Sequence, residues 1–258
     1  MENITLITGA SSGLGKELAK LYLKDNQKVL LVSSNENRLN KAKEELLAID
    51  NNYQIEVFPA DLSDIDNCKK VFNYTQNKGY FVNNLVNAAG FGDCTDFKDM
   101  DIDLQIKLNR LNVDCLLYFT RVYLTDMLKN DEGHIINVSS IAAYFPGPYM
   151  TTYHASKAYV LNLGEAIAEE IKKTNVKILT ICPGPFDSGF VGIAHNDYTF
   201  SKIKPIPASE VAEYAYKMSL KGKRVKIVGI KNKITCFLPR FFPRKFIALM
   251  SAKNIKKL

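Results

Sequence analysis

Short apolar runs alternate with longer segments of helical period along most of this 258-residue chain, and no other feature constrains its fold as much. Candidate strands lie at 4–7, 28–32, 54–58, 83–86, 134–138, 177–182 and 224–228. Candidate helices fall between them, near 13–25, 36–49, 64–77, 102–129, 151–174 and 208–220. Several strands are near-continuous apolar runs, as strands buried on both faces must be. Alternation through six or seven units predicts an α/β fold: a doubly wound parallel sheet of about seven strands with helices on both faces. Right-handed crossovers leave that sheet little topological freedom. The chain has no internal repeat and no long linker. One extended irregular segment, 183–207, is rich in Gly and Pro. A loop that long in a compact α/β domain is usually functional.

The net charge of +7 is unevenly spread. After Ser201, fifteen Lys and Arg residues face only Glu210 and Glu213, a local charge of +13 that leaves −6 on the rest. From Tyr214 onward there is no acid at all. The five cysteines (Cys68, Cys94, Cys115, Cys182, Cys236) are scattered and odd in number, which argues against a disulfide framework and for a reducing cytosol. No His/Cys cluster has zinc spacing, so no metal is expected. The chain opens directly into an apolar strand-like run, unlike a signal peptide, and no run reaches the length of a spanning helix. The expected location is therefore cytoplasmic, with surface attachment left open by the basic, aromatic tail.

The first strand runs into Thr8-Gly9-Ala10-Ser11-Ser12-Gly13-Leu14-Gly15, and a helix follows. Glycines at such a turn let the backbone approach a phosphate, and the helix N-terminus adds free N–H groups and a favourable dipole. A glycine-rich turn by itself is weak support, since small residues also serve tight packing. Its position after the first strand strengthens the phosphate reading.

This pattern resembles the short-chain dehydrogenase/reductase family, whose fold is Rossmann-like. The resemblance covers roughly residues 3–228 and implies cofactor contacts at Gly9, Ser11, Ser12, Gly13, Leu14 and Gly15. It extends to Asp61 and Leu62 after the third strand, which would meet the adenine. Asn87-Ala88-Ala89-Gly90 follows the fourth strand and matches the family pattern, except that Ala88 replaces an Asn. Pro183-Gly184-Pro185 would back the nicotinamide, and Ser188 stands where the family usually has Thr against the carboxamide. On this resemblance, residues 1–230 form the catalytic domain. Its cofactor half is 1–130, and its catalytic and substrate-loop half is 131–230. Residues 231–258 form a basic aromatic extension.

Tyr153 and Lys157 stand at i and i+4, one turn apart on a helix face. Alone, the pair fits an ordinary amphipathic helix with a solvated lysine. As a reacting pair, the ammonium and an oxidised nicotinamide would lower the phenol from its usual value of about 10. Tyr153 would then exchange a proton with a substrate hydroxyl. Lys157 would also hold the ribose. Two matches to the family favour that reading. Ser140, thirteen residues before Tyr153, would hold and polarise the carbonyl oxygen, with Ser139 as its rival. Asn112 matches the family's helix Asn, which interrupts helix hydrogen bonding and supports a water leading to the lysine. Neighbouring helix positions diverge by about 100°, so His154 is read as a wall or surface residue. Cys182 is read as packing.

An acid at the end of the second strand would favour NAD. Ser33 and Ser34 stand there instead, with Arg38 nearby, so NADP(H) is favoured and NAD(H) remains open. Phe91, Tyr144, Phe145, Tyr149, Phe186, Phe190, Val191 and Ile193 suggest an apolar substrate cleft. Lys202 and Lys204 are the cations of its loop, read as solvated. The implied reaction is hydride transfer between the nicotinamide and a small-molecule carbonyl or secondary alcohol. A 3-oxoacyl thioester or steroid-like ketone is a narrower alternative, and a nucleotide-sensing scaffold is the non-enzyme rival. The family also implies a homo-oligomer, dimer or tetramer. The tail, rich in Leu, Pro, Arg and Phe, resembles the extension of a DltE-like bacterial-type branch. It has three readings: packing on its own domain or a partner subunit, peripheral contact with an anionic membrane, or nucleic-acid binding. The last lacks any reader motif, so no nucleic acid is expected.

Overall fold

The computed structural model describes residues 1–187 and 205–255. Its strands are β1 (Glu2–Thr8), β2 (Val29–Ser33), β3 (Ile55–Pro59), β4 (Tyr80–Asn87), β5 (His134–Val138), β6 (Lys177–Cys182) and β7 (Val225–Ile227). They form one seven-stranded sheet in the order β3-β2-β1-β4-β5-β6-β7. All six pairings are parallel. β4 begins earlier than the sequence suggests, because Tyr80, Phe81 and Val82 are buried along with the polar residues that follow. Ile4 pairs with Val82 and Thr5 with Asn84, so the ladder skips Asn83.

Helices α1 (Gly13–Lys24), α2 (Glu36–Leu47) and α7 (Ala208–Leu220) cover one face. Leu14, Leu18, Leu39, Leu46, Val211 and Ala215 meet Ile7, Leu31, Val86 and Ile136 there. Helices α3 (Ile65–Asn77), α5 (Leu116–Asn130) and α6 (Thr151–Glu170) cover the other. Val71, Phe119, Tyr123, Met127 and Ala168 meet Ile4, Leu6, Leu30 and Leu85 on that side. Strand side chains alternate between faces, so Leu6 and Ile7 enter different cores. A fully buried leucine contributes about 2 kcal/mol by leaving water, and both cores are built of such residues.

The expected helix 102–129 is three pieces. α4 (Ile102–Asn109) leads into a π-helical stretch, Arg110–Cys115, and then into α5. Past β7 the described chain stays helical. It forms α8 (Ile230–Phe237), a 3-10 turn at Leu238–Phe241, and α9 (Arg244–Ile255). Cys236, Ser251, Ala252 and Ile255 are buried, so one side of this tail packs on its own domain.

The sheet order turns at β1, with β2 on one side and β4 on the other. Chain connections leave in opposite directions at such a point, which opens a crevice beyond the carboxyl ends of the strands. The candidate site lies in that crevice.

Candidate active site

The β1–α1 turn is held against the end of β4. Thr8 Oγ1 accepts hydrogen bonds from the Ala88 and Ala89 amides, each 3.1 Å, and donates to the Val86 carbonyl at 3.3 Å. Gly9 has φ +66°, and a Cβ there would stand 2.9 Å from the Ala89 backbone. A Cβ on Gly15 would stand 2.5 Å from the Gly9 carbonyl oxygen. Only glycine fits both positions. Ser12 caps α1 without a side-chain hydrogen bond, and no acid occupies the first turn. Those amides suit an anion.

This turn lines a cavity of about 700 Å³. Gly9, Ser11, Ser12, Gly13, Leu14 and Gly15 form its floor, and Ser33, Ser34, Arg38, Asp61 and Leu62 form one end. Ser33 Oγ donates to Ser11 Oγ at 3.0 Å, tying the second strand to the turn. Burial would raise the Asp61 carboxyl, but hydrogen bonds from Ser63 and Lys107 outweigh it and hold the group below its ordinary range. Lys107 reaches Asp61 at 2.9 Å. Ala88, Ala89, Gly90, Pro183 and Gly184 line the cavity as well. A dinucleotide's phosphates fit the glycine cradle, and the cavity is large enough to continue past it.

Asn87 departs from the sequence expectation. Its side chain does not line the cavity. Its amide donates to Thr120 Oγ1 at 3.1 Å and to Asn137 Oδ1 at 2.9 Å, inside the molecule. Asn87 is the last residue of β4 and its side chain turns inward, while the loop that follows brings the next three residues to the cavity. Ser188, Phe190, Val191, Ile193, Lys202 and Lys204 lie outside the described residues. The ends of their segment are fastened together: the Asp187 amide donates to the Ile206 carbonyl at 2.9 Å.

Ser140, Tyr153 and Lys157 line the same cavity. The two serines ending β5 are distinguished by geometry. Ser139 Oγ donates to the Lys157 carbonyl at 2.7 Å, which fastens β5 to α6. Ser140 is hydrogen-bonded to Tyr153. Lys157 Nζ donates to the Val138 carbonyl at 2.9 Å and stands 5.8 Å from the Tyr153 ring centre. Asn112 sits behind the cavity wall in the π-helical stretch. Its Oδ1 accepts from the Phe91 amide at 3.1 Å, and its Nδ2 donates to the Phe91 carbonyl at 2.9 Å and to Ser156 Oγ at 3.0 Å. A Cβ on Gly90 would come within 2.8 Å of Asn112 Oδ1.

The protein's own groups do not lower the Tyr153 phenol. Burial raises it to about 12, against a smaller lowering by the Ser140 hydrogen bond. Burial brings the Lys157 ammonium down to about 8. The expected lowering by the ammonium does not appear in the protein's own groups, because burial decides the direction of both shifts. Cys182 is buried and raised to about 11, so its thiol stays protonated. His154 is buried with Nδ1 3.0 Å from the Phe145 carbonyl oxygen and lines the cavity, so of the two expected places it takes the wall and not the surface. Burial lowers its pKa.

Phe91, Phe145 and Phe186 border the cavity, joined by Met150. Tyr144 and Tyr149 do not line it; Tyr149 packs behind Met150 and Tyr153. Sequence reasoning allowed the tail to pack on its own domain but missed its contribution to the cavity. Thr235 on α8 and Ser251, Asn254 and Ile255 on α9 all line the cavity. Ile255 packs on Met150, beside Tyr153. The buried Ser251 hydroxyl has no hydrogen-bond partner among the described residues. The signal available was the spacing of Ser251, Ala252 and Ile255, which puts them on one side of a helix.

A family model described as short chain dehydrogenase matches residues 3–198. An uncharacterized oxidoreductase of Staphylococcus aureus is 27% identical over 214 residues, covering 83% of this chain and 90% of that protein. A short-chain dehydrogenase from Sphingobium yanoikuyae, solved in complex with NADPH, superposes with a TM-score of 0.82 at 21% identity, over 100% of this chain and 97% of that one. A 7beta-hydroxysteroid dehydrogenase superposes with a TM-score of 0.84 at 22% identity, over 96% of each chain. The chain belongs to the short chain dehydrogenase family. It is an NAD(P)-dependent oxidoreductase.

Proposed function

We propose that this protein reduces an apolar carbonyl compound, or oxidises the corresponding secondary alcohol, with NADP(H) preferred over NAD(H). One observation carries the reading: Ser140, Tyr153 and Lys157 line the same cavity as the glycine turn that suits a dinucleotide's phosphates. When bound, the nicotinamide supplies or accepts the hydride.

The chain's residues do the rest. Ser140 and Tyr153 hydrogen-bond the substrate oxygen. In reduction the Tyr153 hydroxyl gives its proton to that oxygen as the carbonyl carbon becomes a carbinol. A phenol held near 12 is protonated at neutral pH and ready to donate. Lys157 stabilises the phenolate left behind and holds the ribose hydroxyls. Asn112 acts as a positioning residue, since it fixes the Phe91 loop against α6 through Ser156. Phe91, Phe145, Met150 and Ile255 give the substrate end an apolar character. Ser33 and Ser34 put no carboxylate where a 2′-phosphate would sit, and Arg38 lines the same end.

A panel of apolar ketones, read by NADPH absorbance, tests the reading together with Tyr153→Phe. The variant should lose at least about 100-fold in kcat while still binding NADPH. Retention of most turnover would refute the proton role. Fluorescence titration with both nicotinamides tests the preference, and tighter binding of NADH would reverse it.

A further inference from the structure

The tail that lines the cavity from inside carries a large exposed apolar surface outside. Ile230, Ile234 and Phe237 follow one another at i, i+4 and i+7 along α8, which makes a single stripe. They are 75%, 55% and 52% exposed. The surface continues through Leu238, Phe241, Phe242, Phe246, Leu249 and Met250, all exposed. Nine large apolar side chains within residues 230–250 are far from the scattered single residues of an ordinary soluble surface. Phe237 meets Phe241 edge to face and Phe242 lies tilted against Phe246, each with ring centres 5.3 Å apart, so the aromatic rings cluster.

Charge identifies the occupant. Lys231, Lys233, Arg240, Arg244, Lys245 and Lys253 are interleaved with these residues, and the chain has no acid after Glu213. We propose that α8, the 3-10 turn and α9 form a docking surface for an anionic lipid bilayer. Apolar rings and aliphatic side chains enter the acyl boundary while the surrounding cations meet anionic headgroups. A symmetric pairing of two copies through this patch would set six cations against six, with no acid in the patch to neutralise them. The bilayer takes the apolar area and the charge together.

Helix α9 joins this surface to the site. Ser251 and Ile255 line the cavity, while Phe246, Leu249 and Met250 face out. A helix is about 10 Å across, so docking would hold the cavity one helix diameter from the lipid. On the carbonyl-reductase reading above, a ketone dissolved in the bilayer would meet the enzyme at that point. The docking surface itself does not depend on that reading.

Co-sedimentation of the full chain with vesicles tests the proposal. One set is phosphatidylcholine alone, and the other contains about 30% phosphatidylglycerol. Each is run at about 0.1 M and about 0.5 M salt. The apolar variant is Ile234→Ser with Phe237→Ser and Phe241→Ser. The charge variant is Lys231→Gln with Lys233→Gln and Arg240→Gln. None of these six residues lines the cavity.

The wild type should partition at least about 10-fold more strongly onto the anionic vesicles and lose much of that preference at the higher salt. The apolar variant should lose about 10-fold on the anionic vesicles, and the charge variant should lose its lipid preference. Circular dichroism and thermal melting establish that both variants fold. Their NADPH binding and ketone turnover in vesicle-free buffer should match the wild type.

Wild-type partitioning no greater than in a vesicle-free control overturns the proposal, as does wild-type binding by both folded variants. If the apolar variant instead converts a dimer to a monomer in sedimentation velocity, with no vesicle binding by the wild type, the patch joins two copies. Absence of ketone turnover with vesicle binding intact would sink the reductase reading alone.

Discussion

Glu56 shows how much of this domain's pH response rests on single residues away from the cavity. It lies on the edge strand β3, where Tyr74 donates to Oε2 at 2.6 Å and Tyr80 donates to Oε1 at 2.5 Å. Lys28 Nζ stands 2.9 Å from Oε1. Burial resists the charge on Glu56, but these donors win and bring the carboxyl down to about 2. A carboxyl lowered on folding contributes stability that is complete above its unfolded value and lost as pH falls toward the folded one. The window here runs from about pH 4.5 down to about pH 2. After discounting for solvent at a partly exposed site, the carboxylate contributes about 1–2 kcal/mol. Urea unfolding at neutral pH should therefore find Glu56→Gln less stable by that amount. The gap should narrow as the pH is lowered through the window. A gap that widens on acidification would mean the cluster does not hold Glu56 ionised. Nothing in the apolar pattern marks this cluster, because Lys28 precedes β2 while Glu56, Tyr74 and Tyr80 come from three separate elements.

At the scale of the element, periodicity reveals existence better than internal geometry. All seven strands were legible as apolar runs, and the helices between them as helical period. The break at Arg110–Cys115 was not visible in that pattern, since one wider turn shifts hydrogen bonds without removing apolar residues. Asn112 hinted at it only through the family resemblance. The structure supplies the physical reason for an Asn there: its side chain satisfies both backbone groups of Phe91. Asn112→Ala should cost about 1–3 kcal/mol, because a partly buried amide and carbonyl lose their partners together. Thermal melting would show it, and an unchanged melt would mean that water replaces the side chain at no cost. Asn87 is the opposite case. Its motif was legible, but its side chain turns inward to Thr120 and Asn137.

For the whole molecule, the charge split by sequence position acquires a spatial meaning. The acid-free stretch includes α8 and α9, which close one end of the cavity that the mildly acidic body builds. Basic and aromatic composition suggested surface attachment but gave no sign that the same helices wall the substrate end. That wall is tertiary: Ile255 reaches Met150 and the neighbourhood of Tyr153 across about 100 residues of chain. Ile255→Ala tests whether the wall matters to the substrate. Trimming a buried Ile costs about 2 kcal/mol at the low end of such changes, which applies where a terminal helix can settle into the space. On the carbonyl-reductase reading, the variant should raise KM for an apolar ketone several-fold while kcat stays close to the wild type. The removed contact serves substrate and transition state alike, and the proton-transfer groups are untouched. NADPH binding should not change, because the glycine turn and Ser33 lie with the other half of the chain, on β1, β2 and α1. An unchanged KM, with the expected loss of stability, would mean that α9 seals the cavity without touching what binds in it.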